Sequence, residues 1–257
     1  MSTAQRFVAL DLGTARTRSL SLSGYAIVDR PSSVTRPLSG SGLAAALWPV
    51  RHGMVADPDA CLRLVRRLLQ DAQVSESRPR WVLAGVPVAA SPSDRRAVRA
   101  AVAEAAGCEV GLMEEPLAAA VGAGLDILDS RPCLVLDVGA GIVEAVAIAD
   151  GAVTDAVALQ LNATTGEGLV SYALESVIEM TAGLVRRLPA ASRPAARERG
   201  LTVTGGGAHQ EQLLARLRAA LRLPVTATPQ PQHATIRGLM RLCLQPALTA
   251  ALAPRVR

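Results

Sequence analysis

The sequence predicts an α/β protein of two related lobes, each a mixed sheet flanked by helices. Three observations carry this reading. A strand–turn–strand pattern built on Asp-x-Gly occurs at residues 10–17 and again at 136–144. Around each copy, apolar strand-like runs alternate with amphipathic helical runs. A third glycine cluster, Gly205-Gly206-Gly207, stands between a strand and a helix in the second half.

Each Asp-x-Gly run closes a strongly apolar stretch, residues 7–10 in one copy and 133–136 in the other. Glycine serves where backbone turns tightly or approaches a ligand closely. Backbone N–H groups in such a turn form an anion-binding concavity. Asp11 and Asp137, at the mouths of the turns, would repel a bare phosphate but suit a hydrated Mg²⁺ riding on it. Two such hairpins facing one another would grip a nucleotide's phosphates from both sides. A single Asp-x-Gly is an ordinary turn; the second copy and the later glycine cluster give it weight.

Composition narrows the classes. At 257 residues the chain can bury a substantial core. Half of its residues are hydrophobic, without a long uncharged apolar run, so a soluble, cytoplasmic protein is expected. Residues 1–7 are too short and polar for a signal peptide. Cys61, Cys108, Cys133 and Cys243 are scattered with no C-x-x-C and read as buried free thiols of a reducing compartment. Net charge is +5, and all 27 basic residues are arginine. With no lysine, a Walker-type phosphate lysine, a Schiff base and a lysine general base are excluded. The arginines are dispersed over helix faces and aromatics make up 2%, so nucleic acid is not an expected partner.

In chain order, the first hairpin covers 7–22 and continues through 28. Residues 32–48, rich in Pro, Ser, Gly and Ala, read as a loop. A helix follows, capped by Asp57 or Asp59 with Pro58 in its first turn. Cys61, Leu62, Val65, Leu68 and Leu69 form its apolar stripe; Arg63, Arg66 and Arg67 form its solvated face. His52, alone before a glycine, is assigned no chemistry. A buried strand is expected over 81–88. Ser91, Pro92 and Asp94 open a helix that stops at Gly107. A strand over 109–113 delivers Glu114-Glu115-Pro116 to an alanine-rich helix. Carboxylates there favour the positive end of the helix dipole. At the carboxyl edge of a sheet they also sit where α/β folds bind ligands, and one of them would orient an attacking water. The second hairpin turns at Asp150-Gly151 into a strand over 153–161. Residues 162–168 read as loop. The helix over 169–188 buries Val170, Leu174, Val177, Ile178 and Leu184. Residues 189–199 form a proline-broken connector. A strand over 201–204 meets the three glycines, which allow close approach of a ring or phosphate. A helix over 209–221, a strand over 224–228 and helical sequence over 234–252 complete the chain.

These blocks, in this order, resemble the actin-like ATPase superfamily, and within it the bacterial MreB shape-determining proteins. Asp11-Leu12-Gly13-Thr14-Ala15 resembles the phosphate-1 motif. Gly53-Met54-Val55-Ala56-Asp57 resembles the G-V-I-A-D segment. Glu114-Glu115-Pro116-Leu117-Ala118-Ala119-Ala120 resembles the connection, and Asp137-Val138-Gly139-Ala140-Gly141 resembles phosphate-2. Residues 201–208 resemble the adenosine motif.

The resemblance implies an actin-like (ribonuclease H-like) fold with lobe I over 1–135, lobe II over 136–237, and a C-terminal helix over 238–257 returning to lobe I. It implies ATP and Mg²⁺ as cofactors. Asp11 and Asp137 would be the metal residues, acting through waters. Gly13, Thr14, Gly139 and Gly141 would present backbone to the phosphates. Glu115 would position the hydrolytic water and form the catalytic pair with Asp137. Gly205, Gly206 and Gly207 would contact adenosine. The sequence also departs from the family. Arg16 stands where asparagine is usual, and Ile142-Val143 where a Thr-Thr pair is usual. Residues 30–49 are too short for subdomain IB. The step from Gly168 into the next helix skips subdomain IIB, and with it half of the nucleoside clamp and much of the polymer contact. The expected function is therefore an MreB-like, ATP-binding protein of cell shape or cell-wall morphogenesis, hydrolysing weakly or not at all and not expected to polymerise alone. Two alternatives remain: a nucleotide-independent adaptor for full-length MreB or other cell-shape proteins, and a sugar kinase or DnaK-like relative. A kinase needs a substrate-facing aspartate after phosphate-2. Asp150 and Asp155 are the nearest, and both read better as turn or strand-edge residues.

Overall fold

A computed structural model describes residues 7–22, 26–37, 44–72, 79–161, 169 and 171–252. The expected loop over 162–168 and the inward Val170 lie outside the described residues.

The chain builds the same sheet twice. In lobe I, β1 (Phe7–Leu12) and β2 (Arg16–Ser21) form the first hairpin, and β3 (Val28–Pro31) adds antiparallel to β2. Two small hairpins follow, β4 (Val34–Pro37) with β5 (Ala44–Leu47), and β6 (Val50–Arg51) with β7 (Met54–Val55). Helix α1 (Pro58–Asp71) leads to β8 (Trp81–Val86), and α2 (Pro92–Ala106) leads to β9 (Glu109–Glu114). These helical crossovers make β1, β8 and β9 parallel, giving the order β3-β2-β1-β8-β9. Helix α3 (Glu115–Gly122) then passes to lobe II. There β10 (Cys133–Val138), β11 (Ile142–Ala149) and β12 (Ala152–Gln160) form an antiparallel meander. After α4 (Ser171–Arg187) and α5 (Arg193–Arg199), β13 (Leu201–Thr204) pairs parallel to β10. Past α6 (Glu211–Leu221), β14 (Val225–Ala227) completes the order β12-β11-β10-β13-β14. The chain ends in α7 (Ala234–Leu244) and α8 (Pro246–Ala251).

Three apolar layers hold this together. Helices α1 and α2 cover the outer face of the first sheet, with Leu64, Val65, Leu68, Val98 and Val102 on Val8, Leu10 and Val82. Helices α4 and α6 cover the outer face of the second. Between the sheets lie α3 and α7, whose Leu117, Ala118, Ile236 and Leu239 join Ala9 and Leu83 of one sheet to Val135 and Val146 of the other. Helices α3 and α7 cross at Gly122 and Gly238, where a Cβ on either would overlap the other helix's backbone. Only glycine permits that approach.

Several local expectations need correction. Residues 32–48 are not all loop: β4 and β5 pair, with Val34 buried against the first core. Alanine is too weakly apolar to register alternation there. Residues 189–199 are not merely a broken connector. Pro194 falls in the first turn of α5, where its missing N–H costs nothing. In α1 the buried stripe uses Leu64, while Leu62 is only partly covered. The helical sequence over 234–252 splits at Pro246 into α7 and α8.

Candidate functional site

Both Asp-x-Gly turns fold alike. In the first, Leu12 pairs with Thr17, and in the second Val138 pairs with Val143, leaving equal four-residue turns. A Cβ at Gly13 would stand 2.6 Å from the Arg16 carbonyl oxygen, and one at Gly139 would stand 2.7 Å from that of Ile142. Each glycine is therefore required by the turn itself. The first turn is braced from behind by Ser32, whose Oγ donates to the Gly13 carbonyl at 2.6 Å and whose N–H donates to that of Ala15 at 2.9 Å.

The turns face each other across one cleft of about 200 Å³. It is lined by Asp11, Gly13, Thr14, Glu115, Asp137, Gly139, Gly141, Gly205 and Gly206, with Arg16, Arg18 and Ile142. Every residue given a catalytic, metal or nucleotide-binding role by the resemblance thus meets there except Gly207, which packs against the Val138 side chain. Gly205 enters the cleft with φ +81°, and a Cβ there would lie 2.7 Å from Asp137 Oδ1. Of the departing pair, Ile142 lines the cleft, whereas Val143 is fully buried in the second core.

The lobes touch through this site. Within lobe I, Thr14 Oγ1 accepts from Gly53 N–H at 3.0 Å; across the lobes, Gly141 packs so close to Thr14 that a Cβ on the glycine would overlap its side chain. His52 Nδ1–H donates to the Gly141 carbonyl at 2.7 Å. That bond gives the supposedly inert His52 a part in the contact. Its φ of 51° and the 70° of Gly53 make the β6–β7 connection a tight primed turn aimed at lobe II. Ala89 N–H donates to Glu144 Oε1 at 3.1 Å.

Charge is concentrated below these turns. Asp11 and Glu144 are buried, as are Glu115 and Asp137. Burial raises the Asp11 pKa, and Arg18 opposes that shift from 3.3 Å. Burial pushes Asp137 up to about 6 although Thr204 Oγ1 donates to it at 2.9 Å, and Asp11 adds to the rise. Burial, then Asp11, Glu144 and Asp137, hold the Glu115 carboxyl well above its ordinary range. Glu115 Oε1 and Glu144 Oε2 are buried with no hydrogen-bond partner. Two buried acidic groups lining one cleft, with Asp11 raising the pKa of Asp137, suit a cation, and Mg²⁺ commonly binds through one or two carboxylates plus phosphate oxygens. The residues present therefore fit a metal-bound polyphosphate.

Sequence reading passed over Arg18, Glu144, Gln232 and Thr235. The last two reach the cleft from the turn into α7. A regular spacing identifies the first two. Seven residues past each aspartate the hairpin register returns to it, placing Arg18 opposite Asp11 and Glu144 opposite Asp137.

Comparison with known proteins adds the family. The family model described as MreB/Mbl protein matches residues 39–167, half of the chain. The cell shape-determining protein MreB of Escherichia coli K12 is 30% identical over 165 residues, covering 55% of this chain and 47% of that protein. The chain thus spans about half the length of the curated relatives it matches. Among solved structures, MreB5 of Spiroplasma citri bound to ADP superposes with a TM-score of 0.82 at 18% identity, over 96% of this chain and 98% of that one. The MamK double helical filament gives 0.76 at 19% identity, over 93% and 98%. These likenesses establish a shared fold.

Proposed function

The chain belongs to the MreB/Mbl family of actin-like proteins, and from that premise we propose that it binds ATP between its two hairpins, turns it over weakly or not at all, and serves cell shape in the cytoplasm. The observation that carries this is the convergence of Asp11 and Asp137, from separate sheets, on one glycine-walled cleft. The ADP bound to a neighbour of the same fold supports it. In this reading the turns at Gly13 and Gly139 offer backbone to phosphates, and Gly205 and Gly206 admit the nucleoside. When bound, Mg²⁺ would be held by Asp11 and Asp137 and would neutralise phosphate charge. In this reading the lobes divide at 135/136, and the C-terminal helices α7 and α8 return to lobe I.

Slow turnover follows from two features. Burial and its acidic neighbours raise the Glu115 pKa well above its ordinary value, which favours the protonated form and weakens it as an acceptor for a water. Ile142 brings an apolar side chain to the phosphate end of the cleft. The adaptor reading is favoured by one observation: the cross-lobe hydrogen bonds of His52 to Gly141 and of Ala89 to Glu144 are already made by the protein's own groups. Calorimetric titration with ATP and Mg²⁺ separates the two. Saturable heat that is lost in Asp11→Ala and in Asp137→Ala supports the nucleotide reading; no heat leaves the adaptor. Pelleting alone and with full-length MreB tests assembly, and sedimentation of the chain alone contradicts the expected lack of self-polymerisation.

A further inference from the structure

We propose that Arg18 is a built-in cation of the nucleotide site, so that nucleotide binding by this chain does not require a divalent metal. The inference rests on the nucleotide reading above. Asp11, Arg18 and Asp29 stand in one row across three strands, because the register pairs Asp11 with Arg18 on one side and Arg18 with Asp29 on the other. Arg18 Nη1 lies 3.3 Å from Asp11 Oδ2, and its Nε lies 3.1 Å from Asp29 Oδ2. The Arg18 side chain is 13% exposed and is held from both sides by carboxylates that strand register places beside it. Asp29 also takes Arg16, Nε to Oδ1 at 2.6 Å and Nη2 to its carbonyl at 3.1 Å. His233 Nε2 lies 3.7 Å from the same carboxylate. Asp29 thereby orders two arginines at one wall of the cleft, and both line it.

A divalent ion at this site would have two electrostatic tasks, offsetting buried carboxylate charge and drawing in phosphate oxygens. Arg18 already performs the first at Asp11. Its fork carries five N–H donors, and the bonds to Asp11 and Asp29 are made through Nη1 and Nε, so the same group has capacity for a phosphate oxygen. Guanidinium is suited to that second task because its planar fork matches phosphate oxygens and stays charged. The duplicated hairpin shows that the device is specific. At the equivalent position lobe II carries Glu144, an acidic side chain in place of a cation, opposite Asp137. Metal would therefore strengthen binding through Asp137 without being needed at Asp11.

The test is ATP titration of the wild-type chain and of Arg18→Leu, each in Mg²⁺ and in excess EDTA. The wild type is expected to weaken less than about fivefold in EDTA. Arg18→Leu is expected to bind in Mg²⁺ but to weaken by about tenfold or more when the metal is removed, the worth of a charge-assisted hydrogen bond. A wild type that weakens fivefold or more in EDTA overturns the proposal and leaves the nucleotide reading intact, and so does an Arg18→Leu chain that tolerates EDTA as well as the wild type. No saturable signal in either buffer overturns the nucleotide reading and this proposal with it. The wild-type comparison decides the matter even if Arg18→Leu fails to fold.

Discussion

Glu144 carries a pH consequence that can be read directly. It is 1% exposed, accepts from Ala89 N–H across the lobes, and has its pKa pushed to about 8 by burial and by Asp137. Glu114, Glu115 and Asp137 are the titratable groups around it. A carboxyl whose folded pKa exceeds its unfolded value binds its proton more tightly when folded. Its stabilising contribution is complete below about 4.5 and is lost as pH rises through about 8. Thermal unfolding should therefore show a Tm roughly 5–10 °C lower at pH 9 than at pH 6. Glu144→Gln keeps an acceptor for Ala89 and should reduce that slope, with Glu115 carrying what remains; an unchanged slope contradicts the assignment. A second residue test concerns Gly141, where a Cβ would overlap Thr14. Gly141→Ala should cost about 1–3 kcal/mol in chemical denaturation, and Thr14→Ala should recover part of it. Additive losses in the double variant would show that the two residues do not press on each other. At this scale the sequence displayed Asp11, Asp137 and the glycines, because turn chemistry is local. It hid the partners: whether Arg18 or Glu144 faces an aspartate depends on hairpin register, and Ser32 braces the first turn from a segment read as loop.

Among the elements, α3 and α7 bear the most constraint, because they separate the two sheets and cross glycine on glycine. Gly238→Ala should destabilise by more than about 3 kcal/mol, since the added methyl meets backbone that cannot rotate away. Gly183→Ala in α4 is the matched control. Its methyl would meet only arginine tips at 3.7 Å or beyond, so it should be neutral or stabilise by up to about 1 kcal/mol. Equal losses at the two positions would mean that helix propensity and not helix crossing governs the effect. The legible elements were those with their own signals. Helix α2 shows Ser91 and Asp94 bonding reciprocally and Gly107 at φ 66°. Helix α1 begins at Asp57, whose Oδ1 accepts from Ala60 N–H at 2.9 Å. The β4–β5 hairpin and α5 were illegible. Their alanines and prolines carry little periodicity, and both segments gain order from what they lie against.

For the whole molecule, duplication explains both what the sequence disclosed and what it withheld. Two copies of one motif announced two lobes, and the repeated sheet order follows from the same hairpin-then-crossover connectivity. Nothing in the spacing announced that β6–β7 and the turn before α2 would bridge those lobes through His52 and Ala89. Such contacts belong to tertiary assembly alone. The lobes are joined at the cleft by few hydrogen bonds and along α3 and α7 by apolar packing, so a ligand gripping both turns should tighten one assembly. Amide hydrogen exchange with and without saturating ATP tests this most directly. The account predicts slowed exchange in both turn segments, 12–17 and 138–142, in the same titration. Slowed exchange in one segment alone, or in neither, would contradict it.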